Sequence, residues 1–127
     1  MNRVLFSSQS VDWRTPEGLR LALDAEFRFT LDACPVGGTD GLTRSWAGRR
    51  VFCNPPYRRG EIARWLAKAR EADVAVYLLP SRTGTPWFHD YALAADEIRF
   101  VRGRLRFSGA TVNAPFDSVI LVYGRAA

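Results

Sequence analysis

A chain of 127 residues that is 47% hydrophobic and 24% charged is too apolar to be disordered and long enough to bury one core without staples. No apolar run approaches the roughly 20 residues of a membrane span, and two isolated cysteines beside a single histidine argue against a zinc site. The formal charge is +5, and Lys68 is the one lysine among eighteen basic residues, so the excess is carried by Arg, whose planar fork reads phosphates and base edges. Nucleic acid is therefore an expected partner; the plainer alternative is a codon bias that favours Arg whatever the function.

Residues 1–12 read as irregular. WRTPEGLRLALDAEF then opens a helix, with Thr15 as N-cap, Pro16 at the first helical position and Glu17 complementing the dipole. Leu19, Ala22, Leu23 and Phe27 give it an apolar stripe. FRFTLDA alternates Phe27, Phe29, Leu31 and Ala33 against Arg28, Thr30 and Asp32, which predicts a strand. CPVGGTDGLTRSWAG is rich in breakers and reads as a loop. RRVFCN is a short strand that stops at two prolines. GEIARWLAKAREAD places Ile62, Trp65, Leu66 and Ala69 on one helix face. VAVYLLP is continuously apolar, as a strand buried on both faces would be. TPWFHDYALAA repeats the Thr-Pro helix start at Thr85 and Pro86, and EIRFVRGRLRF and SVILVYG are two more strands joined by SGATVNAPFD.

Strands alternating with helices predict one α/β domain over residues 1–127, with a mostly parallel sheet and a C-terminal antiparallel hairpin at one edge. Ligands bind off the carboxyl ends of such strands. Asp32, Asn54 and Ser81 each stand just after a strand, so they should gather on that rim.

On that rim the sequence FCNPPY is chemically specific. An exocyclic amine on a base is a poor nucleophile because its lone pair is delocalised into the ring. Two acceptors aimed at its two N–H bonds draw the nitrogen towards tetrahedral geometry and point the lone pair at an electrophile. The Asn54 side-chain oxygen can be one acceptor and the Pro55 carbonyl the other. Pro55 and Pro56 fix the backbone and bring no competing N–H. Tyr57 offers a ring face for a flipped-out base. The competing reading is a rigid turn after a strand, with Tyr57 only packing.

Other residues have two readings each. Arg82 and Thr83 follow a buried strand and are either DNA contacts or solvated loop. Trp87 and Phe88 read as core, and His89 has no part in a chemistry that needs no tuned imidazole. Arg102, Arg104 and Arg106 alternate along a predicted strand, as a basic stripe facing DNA or as a solvated edge.

Asn-Pro-Pro-Tyr after a strand is similar to the catalytic motif of amino-methyltransferases. The whole chain resembles the phage DNA N-6-adenine-methyltransferases (Dam-type) through DWRTPEGL, FTLDACP, DGLTRSWAGRRVFCNPPY, IARWLAKA, LLPSRTGTPWFH and RGRLRF. The resemblance implies a minimal Rossmann-like S-adenosylmethionine-dependent fold and adenine-N6 methylation of DNA in the cytoplasm of a bacterial host, from a phage or prophage gene. It implies that Asn54, Pro55, Pro56 and Tyr57 handle the adenine. It further implies that Thr15 and Pro16 belong to a cofactor segment, with Trp13 beside the cofactor's adenine or capping the helix. Asp32, Ala33 and Cys34 would approach the cofactor, Asp32 holding its amino end or Asp40 its ribose. The family's usual Gly-rich loop is missing, and a homodimer partner is one way to supply the lost wall. Two alternatives stay open: another acceptor, an RNA base or a protein glutamine, and a non-catalytic DNA-binding remnant.

Overall fold

A computed structural model describes residues 13–35 and 40–124. The centre of the fold is VAVYLLP, which forms β3 (Val74–Pro80) and is buried at all seven positions. It is flanked by β2 (Arg50–Cys53) on one side and β5 (Ser118–Tyr123) on the other, with β1 (Leu31–Asp32) and β4 (Glu97–Phe100) at the two edges. β1, β2 and β3 run parallel, and β5 is antiparallel to both β3 and β4. The fold is α/β as expected and the antiparallel pair is present, but the sheet is mixed, with two parallel and two antiparallel pairings among the described strands. The last strand, however, is inserted inside the sheet, and β4 forms the edge.

Period-two alternation divides β3 between two cores. Ala75, Tyr77 and Leu79 pack with Ile62, Trp65, Leu66 and Phe88, while Val74, Val76 and Leu78 pack with Leu23, Phe107 and Ala114. The first group is brought by α2 (Ile62–Ala67), its 3₁₀ continuation Lys68–Glu71, and α3 (Pro86–Asp90). Ile62, Trp65, Leu66 and Ala69 are all buried, as their spacing predicts. Trp87 and Phe88 both pack on this core.

α1 (Glu17–Phe27) covers the other face through Leu23, with Ala22 turned to solvent. Its N-cap is Pro16, with no side-chain cap, so the expected Thr15 cap is corrected. At α3 the same Thr-Pro pair behaves as read: Thr85 accepts from the Phe88 N–H and Pro86 opens the helix. The difference at Thr15 is a competing partner, described below.

The strand expected over residues 27–33 shrinks to Leu31–Asp32. Phe27 still belongs to α1, and Asp24 closes the helix twice, its carbonyl accepting from the Arg28 N–H at 2.7 Å and its carboxylate from the Phe29 N–H at 2.9 Å. Arg28 takes φ 54°, which places Phe27 and Phe29 on the same side, stacked at 6.0 Å. Alternating residues across a left-handed kink do not make a strand.

The expected strand through Arg102, Arg104 and Arg106 also ends early, at Phe100. Beyond it the Val101 N–H donates to the Ser118 carbonyl, where β5 begins, and no ladder partner remains. Gly103, at φ 74°, turns the chain away. The three arginines are exposed loop residues and do not share a strand face.

Candidate active site

The carboxyl ends of β1, β2 and β3 lie side by side through their parallel register, Asp32 against Phe52 and Cys53 against Tyr77. Asn54 is the first residue past β2. Its side-chain nitrogen donates to the Trp13 carbonyl at 2.5 Å and to the Thr15 hydroxyl at 2.9 Å. Its oxygen lies 2.6 Å from the Tyr57 hydroxyl, which is also 3.0 Å from the Leu78 carbonyl.

The polarity of the Asn54 amide follows from these partners. A carbonyl only accepts, so the group facing Trp13 must be the NH₂. The phenol's single proton faces two acceptors, Asn54 Oδ1 at 2.6 Å and the Leu78 carbonyl at 3.0 Å, and the shorter contact is the one to Asn54. Burial pushes the Tyr57 phenol well above its ordinary pKa; the Cys53 thiol adds to this and the Arg82 guanidinium opposes it. Tyr57 therefore stays a neutral donor across the physiological range. Asn54 Oδ1 accepts one bond from Tyr57 and keeps a second lone pair. Pro55 is buried and Pro56 half-buried.

Around this pair stands an aromatic group drawn from distant segments. Trp13 meets Phe107 and Phe116 edge-on at 5.4 and 5.1 Å, and Phe116 meets Tyr57 edge-on at 5.9 Å. The Trp13–Thr15 segment is pinned from the far side, where the Ser108 N–H donates to the Arg14 carbonyl and the Ser108 hydroxyl to the Thr15 carbonyl. Trp13 thus packs in a ring cluster rather than capping α1.

At the end of β1, the Asp32 carboxylate accepts from the Cys34 N–H at 3.3 Å and faces Arg20 at 3.8 Å. Arg20 lies over the Phe29 and Phe52 rings. Ala33 is buried, its N–H bonded to the Phe52 carbonyl, and Cys34 is half-buried. Pro16 is half-buried as the cap of α1. Asp40 begins a 3₁₀ turn through Leu42, and its side chain lies outside what is described.

Arg82 is exposed beside Tyr57. The Thr83 carbonyl is 2.8 Å from His89 Nε2, so the histidine fastens this loop. Arg104 faces Asp117 at 3.7 Å. Sequence reasoning passed over Phe116, which nothing in its loop segment distinguishes. It also passed over Arg58 and Arg59, exposed directly after Tyr57 and legible from that position alone. Among the described residues no group of three His, Cys, Asp or Glu could hold a metal ion, and no helix is long and apolar enough to cross a membrane.

The sequence matches the DNA N-6-adenine-methyltransferase (Dam) family over residues 5–121. The chain belongs to the Dam family. No curated protein and no solved structure matches it. The Dam-family match runs from before Trp13 nearly to the end of β5, so the matched residues span the whole of this candidate site.

Proposed function

We propose that this chain methylates the N6 amine of adenine in DNA, using S-adenosylmethionine on a minimal Rossmann-like version of the methyltransferase fold. The observation that carries the reading is the fixed polarity of Asn54: its oxygen, not its nitrogen, is turned away from Trp13 at the carboxyl end of β2. In the reaction Asn54 Oδ1 accepts one amine hydrogen with its second lone pair, and the Pro55 carbonyl accepts the other. Tyr57 supplies a ring against which the base stacks, with Phe116 standing perpendicular to it.

The residues fit the cofactor at one clear point. Asp32 stands at the end of β1 with a side chain 36% exposed; its carboxylate accepts from the Cys34 N–H and faces Arg20 at 3.8 Å, and its exposed part can take an ammonium or hydroxyl group. Ala33 and Cys34 continue the same strand end, and Trp13 and Phe116, both half-buried, belong to the ring cluster beside Tyr57. When bound, S-adenosylmethionine supplies an electrophilic methyl group on a sulfonium.

Two experiments test this reading. Calorimetry should show heat for S-adenosylmethionine or its demethylated product; no heat and no thermal shift at millimolar cofactor, with DNA present, would remove the enzyme reading. After incubation with unmethylated genomic DNA and cofactor, digestion to nucleosides should yield N6-methyladenine by mass. Methyl incorporation only into RNA or protein would instead reassign the acceptor.

DNA affinity should fall steeply with salt. Neutralising Arg102, Arg104 and Arg106 together should flatten the log–log slope by about 0.9 for each phosphate that is no longer neutralised. Because the three are loop residues and Arg104 is already beside Asp117, Arg58, Arg59 and Arg82 form the comparison set. A slope changed only in that second set would place the DNA over the Tyr57 side of the rim.

A further inference from the structure

The Asn54 amide is ambivalent: rotated by 180° it would present two N–H groups to an amine that also has only N–H to offer. A site built on Asn54 therefore needs something that forbids the rotation. The strand before it and the prolines after it fix the backbone, not the side-chain torsion. What holds the torsion is a segment 39 to 41 residues away in sequence, the Trp13 carbonyl and the Thr15 hydroxyl.

We infer that Thr15 is a positioning residue for Asn54, one that holds the torsion of the side chain presented to the base, its polarity being set by the Trp13 carbonyl, and is not itself a ligand of the cofactor. The inference rests on the function proposed above. Three observations support it. Thr15 is spared from helix capping, since Pro16 is the cap residue of α1 and no side chain caps it. Its hydroxyl is committed to Asn54 Nδ2 at 2.9 Å. Its own backbone is anchored by Ser108, whose hydroxyl donates to the Thr15 carbonyl at 3.0 Å, so the hydroxyl is held in place from outside the motif. Trp13 and Thr15 together satisfy both hydrogens of the amide, and Tyr57 satisfies one lone pair of its oxygen. One acceptor position is left over, the position the amine requires.

Thr15→Val keeps the shape of the side chain and removes the acceptor, and Thr15→Ser restores it. The first readout is independent of turnover: proton exchange of the Asn54 side-chain amide by NMR, assigned through its loss in Asn54→Ala. Thr15→Val should deprotect that amide, and Thr15→Ser should protect it. On unmethylated genomic DNA, Thr15→Val should lower kcat roughly 3- to 10-fold, the effect of one neutral hydrogen bond. The dissociation constant for S-adenosylmethionine should stay unchanged, and Thr15→Ser should recover kcat. If Thr15→Val does not fold, Thr15→Ala takes its place in the same measurements. An Asn54 amide indifferent to Thr15→Val overturns the inference. So does weakened cofactor binding at unchanged kcat, which would make Thr15 a cofactor ligand. If the wild-type protein transfers no methyl group to DNA while the amide still responds to Thr15→Val, the functional reading fails, and Thr15 keeps only a structural bond.

Discussion

Asn54→Ala should lose about 10²–10³ in turnover, on the order of 3–4 kcal/mol for one acceptor placed at the reacting amine. Cofactor binding should survive, because the proposed role of the side chain is to handle the base and not the donor. The fold should survive too. Tyr57 keeps a second acceptor in the Leu78 carbonyl at 3.0 Å, and water can satisfy Thr15. The companion variants separate chemistry from packing. Tyr57→Phe keeps the ring but removes the donor to Asn54 Oδ1, and the loss of ~1 kcal/mol corresponds to about five-fold in turnover. Tyr57→Ala also removes the stacking surface, on the order of 1–3 kcal/mol per base. It should weaken productive DNA binding more than cofactor binding. If Asn54 and Tyr57 are only a turn, both alanine variants will lose melting temperature and cofactor binding together, with activity tracking the folded fraction. Melting curves and turnover on the same three proteins decide. An Asn54→Ala protein that folds normally and methylates adenine near the wild-type rate would sink the mechanism.

Gly41→Ala should be the most damaging small substitution for stability. A Cβ at that position would lie 1.9 Å from the Ala33 carbonyl oxygen and 2.8 Å from the Trp65 ring. The oxygen belongs to backbone, so the chain itself has to move. Gly41 also accepts from the indole of fully buried Trp46 at 3.0 Å, so the shift spreads into the core. We expect a loss of about 3 kcal/mol or more. Gly18 is the internal control: it lies in the first turn of α1 with no atom near its added Cβ, and Gly18→Ala should be neutral or stabilise by up to ~1 kcal/mol. Thermal unfolding of the two variants beside wild type checks the contrast. A Gly41→Ala protein melting within a degree of wild type would show that the 3₁₀ turn from Asp40 to Leu42 is not packed this closely against the end of β1.

Much of this protein is legible in its sequence because some signals are local. The unbroken apolar run of β3 reports burial on both faces, since no alternation is needed when both sides are covered. The i, i+3, i+4, i+7 spacing of Ile62, Trp65, Leu66 and Ala69 reports a helix face, and Thr85-Pro86 reports a helix start. Asn-Pro-Pro-Tyr reports the end of a strand, since two prolines cannot continue the ladder and β2 stops at Cys53. Where two folds share one local pattern, the sequence misled. Phe27, Phe29 and Leu31 alternate as a strand would, but Asp24 ends a helix there and Arg28 reverses the backbone. The arginines from Arg102 to Arg106 alternate as well, but a strand needs a neighbour to pair with, and β5 begins only at Ser118. Thr15-Pro16 and Thr85-Pro86 are the same dipeptide in the same setting. Only tertiary structure turns one hydroxyl to its own helix and the other to Asn54, because a hydroxyl goes to the partner the rest of the fold brings within reach.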